Sequence, residues 1–407
     1  MKFHLGGIAS ARTHRWLLYY NAMNKLLLLG LLIFPSFSES ATIFESSEVF
    51  PPKMNGVARY RIPGIVVTNK GTVLAYAEAR KNGSADWGEI EIHMRRSTDG
   101  GKTWEAPKQI AHHGTRLEGN PHKKKDGERE QTVNNPVAIV DRVTGAIEFL
   151  YCINYVRCYS MRSTDDGVTW SDPVEITASF EPLRKRYDWK VIATGPGHGI
   201  QLKCGRLIVP IWIAYGKEGA HGPSAVSTLF SDDHGKTWQA GDIAVPNEGD
   251  FGSPNETMLA TLSDGRVILV ARSKSNKNRK IVSISGNGAT EWTKPVFHDQ
   301  LWEPVCMAGI IAHPAKPGML IFSNPHSLKR DKDGKEVPAV WAARENLSIK
   351  LSEDDGKTWP VDKVLDAGSS AYSDLSVLPD GTVLCLYEKA ESIVCARFNL
   401  EWLRSAN

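Results

Sequence analysis

Short alternating apolar segments recur along the chain, each bounded by a turn-rich polar cluster. Glu89–Met94 and Leu207–Ile213 are two of them. Period-two alternation over that length predicts β-strands, and no stretch carries a sustained helical period. The polar clusters repeat. One octet, Ser-x-Asp-x-Gly-x-Thr-Trp, occurs four times, at Ser97–Trp104, Ser163–Trp170, Ser231–Trp238 and Ser352–Trp359. Successive copies begin 66, 68 and 121 residues apart. The last interval is nearly two periods, so a worn copy is expected inside it. Ser285-Asn287-Trp292 is the candidate, with Ala289 and Glu291 standing where Gly and Thr belong.

Each octet reads as a turn. Its Asp can accept backbone N–H groups, its Gly can take a positive φ, and its Trp can pack under the turn. The repeated aspartates are therefore expected to be structural. A repeat of this length, with several strands per unit, predicts a radial or linear β array. Residues 41–407 hold roughly six units at this period, which predicts an all-β, six-bladed β-propeller. A parallel β-helix, with its much shorter repeat, ranks second. Two polar excursions, Thr115–Gln131 and His326–Pro338, read as surface loops.

Residues 1–40 have a different character. Leu26–Phe34 is an apolar run beside Lys25, followed by small and polar residues around Ser38 and Ser40. This is the pattern of a secretory signal, too short to span a bilayer, which takes about 20 residues. Met23 makes a natural start, so 1–22 reads as a mis-called start or an extension. The expected organisation is a signal segment over 1–40 and one domain over 41–407, secreted or periplasmic. An uncleaved membrane anchor is the alternative.

Composition narrows the partners. Lys and Arg number 49 against 46 Asp and Glu, a net charge of +3. The excess sits in the first 40 residues (Lys2, Arg12, Arg15 and Lys25 against Glu39), so the rest is balanced. That gives no sequence-wide basic face for nucleic acid or anionic lipid. Gly (35), Pro (22) and Trp (12) are the content of a chain of short strands and many turns. Six cysteines are too few for a disulfide scaffold of this size. Cys152/Cys158 and Cys385/Cys395 each flank a tight turn and could face across a hairpin, or be free buried thiols. No Cys/His spacing reads as a zinc site.

Three arginines follow apolar runs: Arg61 in Tyr-Arg-Ile-Pro-Gly, Arg272 in Leu-Val-Ala-Arg-Ser and Arg344 in Trp-Ala-Ala-Arg-Glu. Singly, each reads as a surface or paired arginine. On different blades they can converge at one mouth and trap a carboxylate. The Arg-Ile-Pro motif, the four octets and Ala371–Leu375 (Ala-Tyr-Ser-Asp-Leu), in this order, resemble the exo-α-sialidases, the bacterial and animal neuraminidases of non-viral type. The similarity runs from about Val57 to Leu400. In that family the octet is the Asp box, and the resemblance implies a six-bladed propeller that cleaves terminal α-linked sialic acid from glycoproteins or glycolipids. It implies that Arg61, Arg272 and Arg344 clamp the sugar carboxylate, with Arg80 as a further positive group. Asp86 matches the acid/base, Tyr372 the nucleophile, Glu256 the glutamate beside it, and Glu388 the acid that orients Arg61. No redox cofactor or catalytic metal is implied.

Chemistry makes sense of these types. A carboxylate nucleophile would meet the substrate's own carboxylate head on, whereas a phenol approaches neutral and needs a base. A tyrosine nucleophile is the recognised exception of sialidases to the two-carboxylate scheme. Two segments resemble pocket walls of the family: Glu303–Gly309, with Met307 where a polar residue is common, and Thr194–Gly199. The sequons Asn255-Glu-Thr257 and Asn346-Leu-Ser348 overlap site or strand residues and are expected to be unused. Two other functions compete. A trans-sialidase or intramolecular trans-sialidase needs an aromatic acceptor site, for which Trp87, Trp189 and Trp302 are candidates. A non-catalytic sialoside-binding propeller needs the Tyr–Glu–Asp set broken, and here it is intact.

Overall fold

The computed structural model describes residues 41–112, 116–117, 130–216, 220–337 and 343–406. The apolar run Leu26–Phe34, with its export signal, lies outside the described residues, as does most of the excursion Thr115–Gln131. Residues 1–40 and 41–407 form separate units, and only the second is described below.

Among the described residues regular structure is almost entirely β, with short 3-10 segments and one five-residue helix, Leu400–Arg404. The strands form antiparallel meanders in chain order. The first sheet is Arg59–Val67, Val73–Arg80, Ile90–Ser97 and Lys108–Gln109. The second is Val133–Val140, Ile147–Ile153, Arg157–Ser163 and Val174–Glu175, with Gly197–His198 added in parallel at its inner edge. The third is built on Val191–Thr194, Leu207–Ala214, Ser224–Ser231 and Gln239–Ala240. The fourth is Thr257–Thr261, Val267–Ala271, Arg279–Ser285 and Val296–Trp302. The last, seven-stranded, turns on one long strand, Val361–Val377. Residues 361–369 pair with Glu345–Ser352, and residues 370–377 with Val383–Lys389. The strand Phe44–Phe50 closes the outer edge by pairing with Ser392–Phe398, Phe44 opposite Phe398.

Neighbouring sheets meet through their inner strands. Arg59–Val67 packs on Val133–Val140 and on Val361–Val377, while Thr257–Thr261 packs on Leu207–Ala214 and on Gly309–Ala312. Inner strands are buried on both faces, which explains near-continuous apolar runs such as Gly64–Val67.

The octets are turns of the expected kind. In the first, Asp99 accepts from the N–H and hydroxyl of Thr103 at 3.0 and 2.6 Å, and the Gly101 N–H donates to Ser97 Oγ at 2.8 Å. The other three repeat this pattern. Each octet glycine abuts a neighbouring sheet: a Cβ on Gly235 would stand 2.4 Å from Glu148 of the second sheet. The worn copy is a true turn, with its register corrected. Gly288 and Thr290, one residue early, supply the glycine and threonine, since Gly288 N donates to Ser285 Oγ and Asn287 Oδ1 accepts from Thr290 N. All six cysteines are free; Cys152 and Cys158 face each other across their hairpin as thiols.

Candidate active site

Irregularities in two sheets and the extended end of a third bring the charged residues together. Pairing of Arg59–Val67 with the next strand is interrupted between Arg61 and Gly64, where Pro63 has no N–H to donate. There the Ile62 N–H turns to Glu388 Oε1 at 2.9 Å, while Arg61 Nε and Nη2 reach the two Glu388 oxygens at 3.2 and 3.3 Å. Burial pulls the Glu388 carboxyl up, but Arg61 and the Ile62 N–H outweigh it and hold it below the usual range. In the fourth sheet, Glu256 and Arg272 extend the first two strands as backbone partners: Arg272 N donates to Glu256 O at 2.9 Å. That neighbourhood lets Arg272 Nη1 bond Glu256 Oε2 and also the Tyr372 hydroxyl. Tyr372 lies where the long strand loses register between Ser370 and Ser373, and its side chain turns inward. Its hydroxyl donates to Glu256 Oε1 and Oε2 at 2.7 and 2.6 Å.

The three guanidiniums surround this phenol. Arg61, Arg272 and Arg344 stand 5.2, 5.8 and 5.5 Å from the Tyr372 ring centroid. Arg344 is seated by a hydrogen bond to the Val305 carbonyl. Burial drives the Tyr372 pKa well above its usual value, with Arg272 opposing and Glu256 adding to the rise. Burial thus favours the neutral phenol, with the Glu256 carboxylate the acceptor in hydrogen-bond contact with it.

Asp86 sits at the rim, its side chain 48 % exposed, 3.6 Å from Arg61 Nη1. Arg80, fully buried, stands behind it. Its Nη1 donates to Asp86 Oδ1 at 2.9 Å and its Nη2 to Glu78 at 2.7 Å. Partial burial raises the Asp86 pKa, but Arg80, Arg61 and His221 together bring it below the ordinary carboxyl value.

Arg61, Asp86, Glu256, Arg272, Arg344 and Tyr372 line a cavity of about 190 Å³ with Asn135, Tyr155, Trp212, His221, Asn255 and Lys274, while Arg80 and Glu388 stand behind its wall. An adjoining hollow of about 260 Å³ shares Arg61 and Arg344. A larger cavity, about 550 Å³, lies between the first and second sheets near Met94, Met161 and Trp170, away from the carboxylate–phenol pair. Among the described residues no group of three His, Cys, Asp or Glu side chains could hold a metal ion.

Two expectations of the sequence need correction. Trp189 is buried, its Nε1 donating to the Phe180 carbonyl at 3.1 Å under the Arg184 guanidinium, and is no acceptor platform. Met307 is fully buried beside Gly197 and Met258, so Glu303–Gly309 and Thr194–Gly199 pack behind the cavity instead of lining it. Trp302 packs edge-on against His326, and Trp87 tilts against Tyr155 and His221, 4.8 and 5.9 Å away, beside Asp86. Asn255 is buried in the cavity wall, its Oδ1 accepting from Glu256 N, closed to a glycan. Sequence reasoning missed Lys274, although it lies two residues beyond Arg272 on the same extended face. Tyr155, Trp212 and His221 gave no signal, since only folding brings their sheets together.

Comparison with known proteins matches the chain to a family. The model for the BNR repeat-like domain fits residues 71–385. The chain belongs to the BNR repeat-like domain family. A sialidase of Micromonospora viridifaciens is 32% identical over 398 residues, covering 91% of this chain. The chain spans just over half of that relative, 55% of its length. The solved Hadza microbial sialidase Hz136 is 29% identical, with a TM-score of 0.71 over 88% of this chain and 68% of that one. The intramolecular trans-sialidase of Ruminococcus gnavus shares the fold at 19% identity, with a TM-score of 0.69 over 89% of this chain and 99% of that one. No helix among the described residues is long and apolar enough to cross a membrane.

Proposed function

We propose that this protein is an exo-α-sialidase that hydrolyses terminal α-linked sialic acid with retention, through a tyrosine nucleophile. The observation that carries the reading is the Tyr372 hydroxyl donating to Glu256, ringed by three arginines. The arginines hold the sugar carboxylate and fix the anomeric carbon over the phenol. As Tyr372 oxygen bonds to that carbon, its proton passes to Glu256, the glycosidic C–O bond breaks, and Asp86 protonates the leaving oxygen. Asp86 then takes a proton from water, the water oxygen displaces the tyrosine, and Glu256 returns the phenolic proton. Two inversions give retention.

Asp86 starts as a carboxylate held low by two arginines. The incoming substrate carboxylate shares Arg61 and the sugar excludes water; both raise the Asp86 pKa, so that Asp86 takes a proton from solvent as the substrate binds and enters the first step as the acid. Glu388 keeps Arg61 aimed.

Six meanders closing as blades fit this reading: the long strand Val361–Val377 counts twice, and the two ends of the domain meet in one sheet. The run Leu26–Phe34 supports export. A transfer reaction rests on Trp87, the candidate acceptor aromatic beside Asp86. Hydrolysis of a panel of linkage-defined sialosides, with the first-formed anomer read by NMR, tests the proposal. Release of the α-anomer supports it, and no release or a first-formed β-anomer sinks it.

A further inference from the structure

A buried ion pair that this chemistry does not use lies behind two of the arginines. Lys280 Nζ and Glu303 Oε2 are 2.8 Å apart, with side chains 1% and 0% exposed. Glu303 Oε1 accepts from Cys306 N at 2.8 Å, and Lys280 Nζ donates to the Cys306 carbonyl. The second Glu303 oxygen accepts from Ser273 N at 3.3 Å, the residue after Arg272. The turn 303–306 is thus gripped from both sides. Within it stands Val305 at φ 58, a region that a β-branched residue resists unless its surroundings impose it. The carbonyl of Val305 is the seat of Arg344.

A buried ion pair is a poor means of stabilising a core, because hydrophobic residues of similar volume often do as well. Hydrophobic residues cannot, however, hold the N–H and carbonyl of Cys306 together with the N–H of Ser273. We propose that Lys280 and Glu303 are a positioning pair, which sets where Arg272 and Arg344 present their guanidiniums to the substrate carboxylate. The proposal rests on the sialidase reading. Bidentate recognition tolerates little displacement, so losing the pair weakens substrate binding most, with a smaller fall in kcat because Arg272 also bonds Tyr372 and Glu256.

The double variant Lys280→Met/Glu303→Leu removes both charges at similar volume. Its Tm stays near that of the wild type, its KM for a fluorogenic sialoside rises by roughly 10-fold or more, and kcat changes by less than about 3-fold. Calorimetry with free N-acetylneuraminic acid shows the same loss of affinity. A native Tm with unchanged KM and affinity overturns the proposal, as does a loss confined to kcat. If the double variant does not melt cooperatively, Val305→Gly decides, because glycine adopts that φ freely and loosens the same seat. A KM raised several-fold supports the proposal, and an unchanged KM overturns it. A wild-type protein that releases no sialic acid sinks the sialidase reading instead, and the calorimetric comparison then still decides the role of the pair.

Discussion

The Tyr372 hydroxyl donates to both oxygens of Glu256, at 2.7 and 2.6 Å, while the Arg272 guanidinium bonds the same two residues. The phenol therefore has a carboxylate acceptor and a cation in contact with its oxygen, and burial raises its pKa. In the proposed mechanism these are the base that takes its proton and the charge that steadies the developing phenolate.

In the proposed mechanism, Tyr372→Phe removes the attacking oxygen and little else. Turnover of a fluorogenic sialoside falls by roughly 10³-fold or more, while circular dichroism and Tm stay close to the wild type. Near-normal turnover would contradict the assignment.

Arg344→Ala removes a clamp arm whose seat is a single backbone carbonyl. Hydrogen bonds to charged groups are worth about 1.5–3 kcal/mol, so KM rises by roughly 10- to 100-fold. Steady-state kinetics checks this, and an unchanged KM removes Arg344 from the clamp.

His221 gives a pH signature. Burial lowers its imidazole from 6.5 to about 4. The unfolded chain therefore binds a proton that the native chain refuses as pH falls from about 6.5 to 4, and stability falls with it. Above that window the effect vanishes. Differential scanning fluorimetry from pH 7.5 to 4 should show wild type losing more Tm than His221→Gln, and parallel curves would refute the sign.

Asp99→Ala breaks the bonds to Thr103 in the first octet. By analogy with lost caps it costs about 1 kcal/mol of stability. Its kcat/KM stays within about 2-fold of wild type if the octets only shape the fold. A large kinetic loss at native Tm would give the octet a catalytic part.

Much of this molecule was legible because its signals are local. An Asp box carries its own turn within eight residues, and four copies set the repeat. Arg61, Glu256, Tyr372 and Glu388 were readable through a motif order that spans the chain. What escaped depends on neighbours far away in sequence. Trp189 was misjudged because the 3-10 segment Thr177–Lys185 covers it, a contact that no periodicity announces. The worn octet was recognised with its glycine and threonine misplaced, since a turn one residue shorter keeps the same bonds. Lys280 gave no signal in the sequence, and Glu303 entered only as one end of a segment resembling a pocket wall; their pairing is made by folding.

The pairing of Phe44–Phe50 with Ser392–Phe398 has a consequence for synthesis. A strand translated early must wait, partnerless, until almost the whole domain has left the ribosome. Such long-range pairing favours slow, late completion of the native state. Chains cut short before residue 392 would keep an open sheet edge, a template for aggregation.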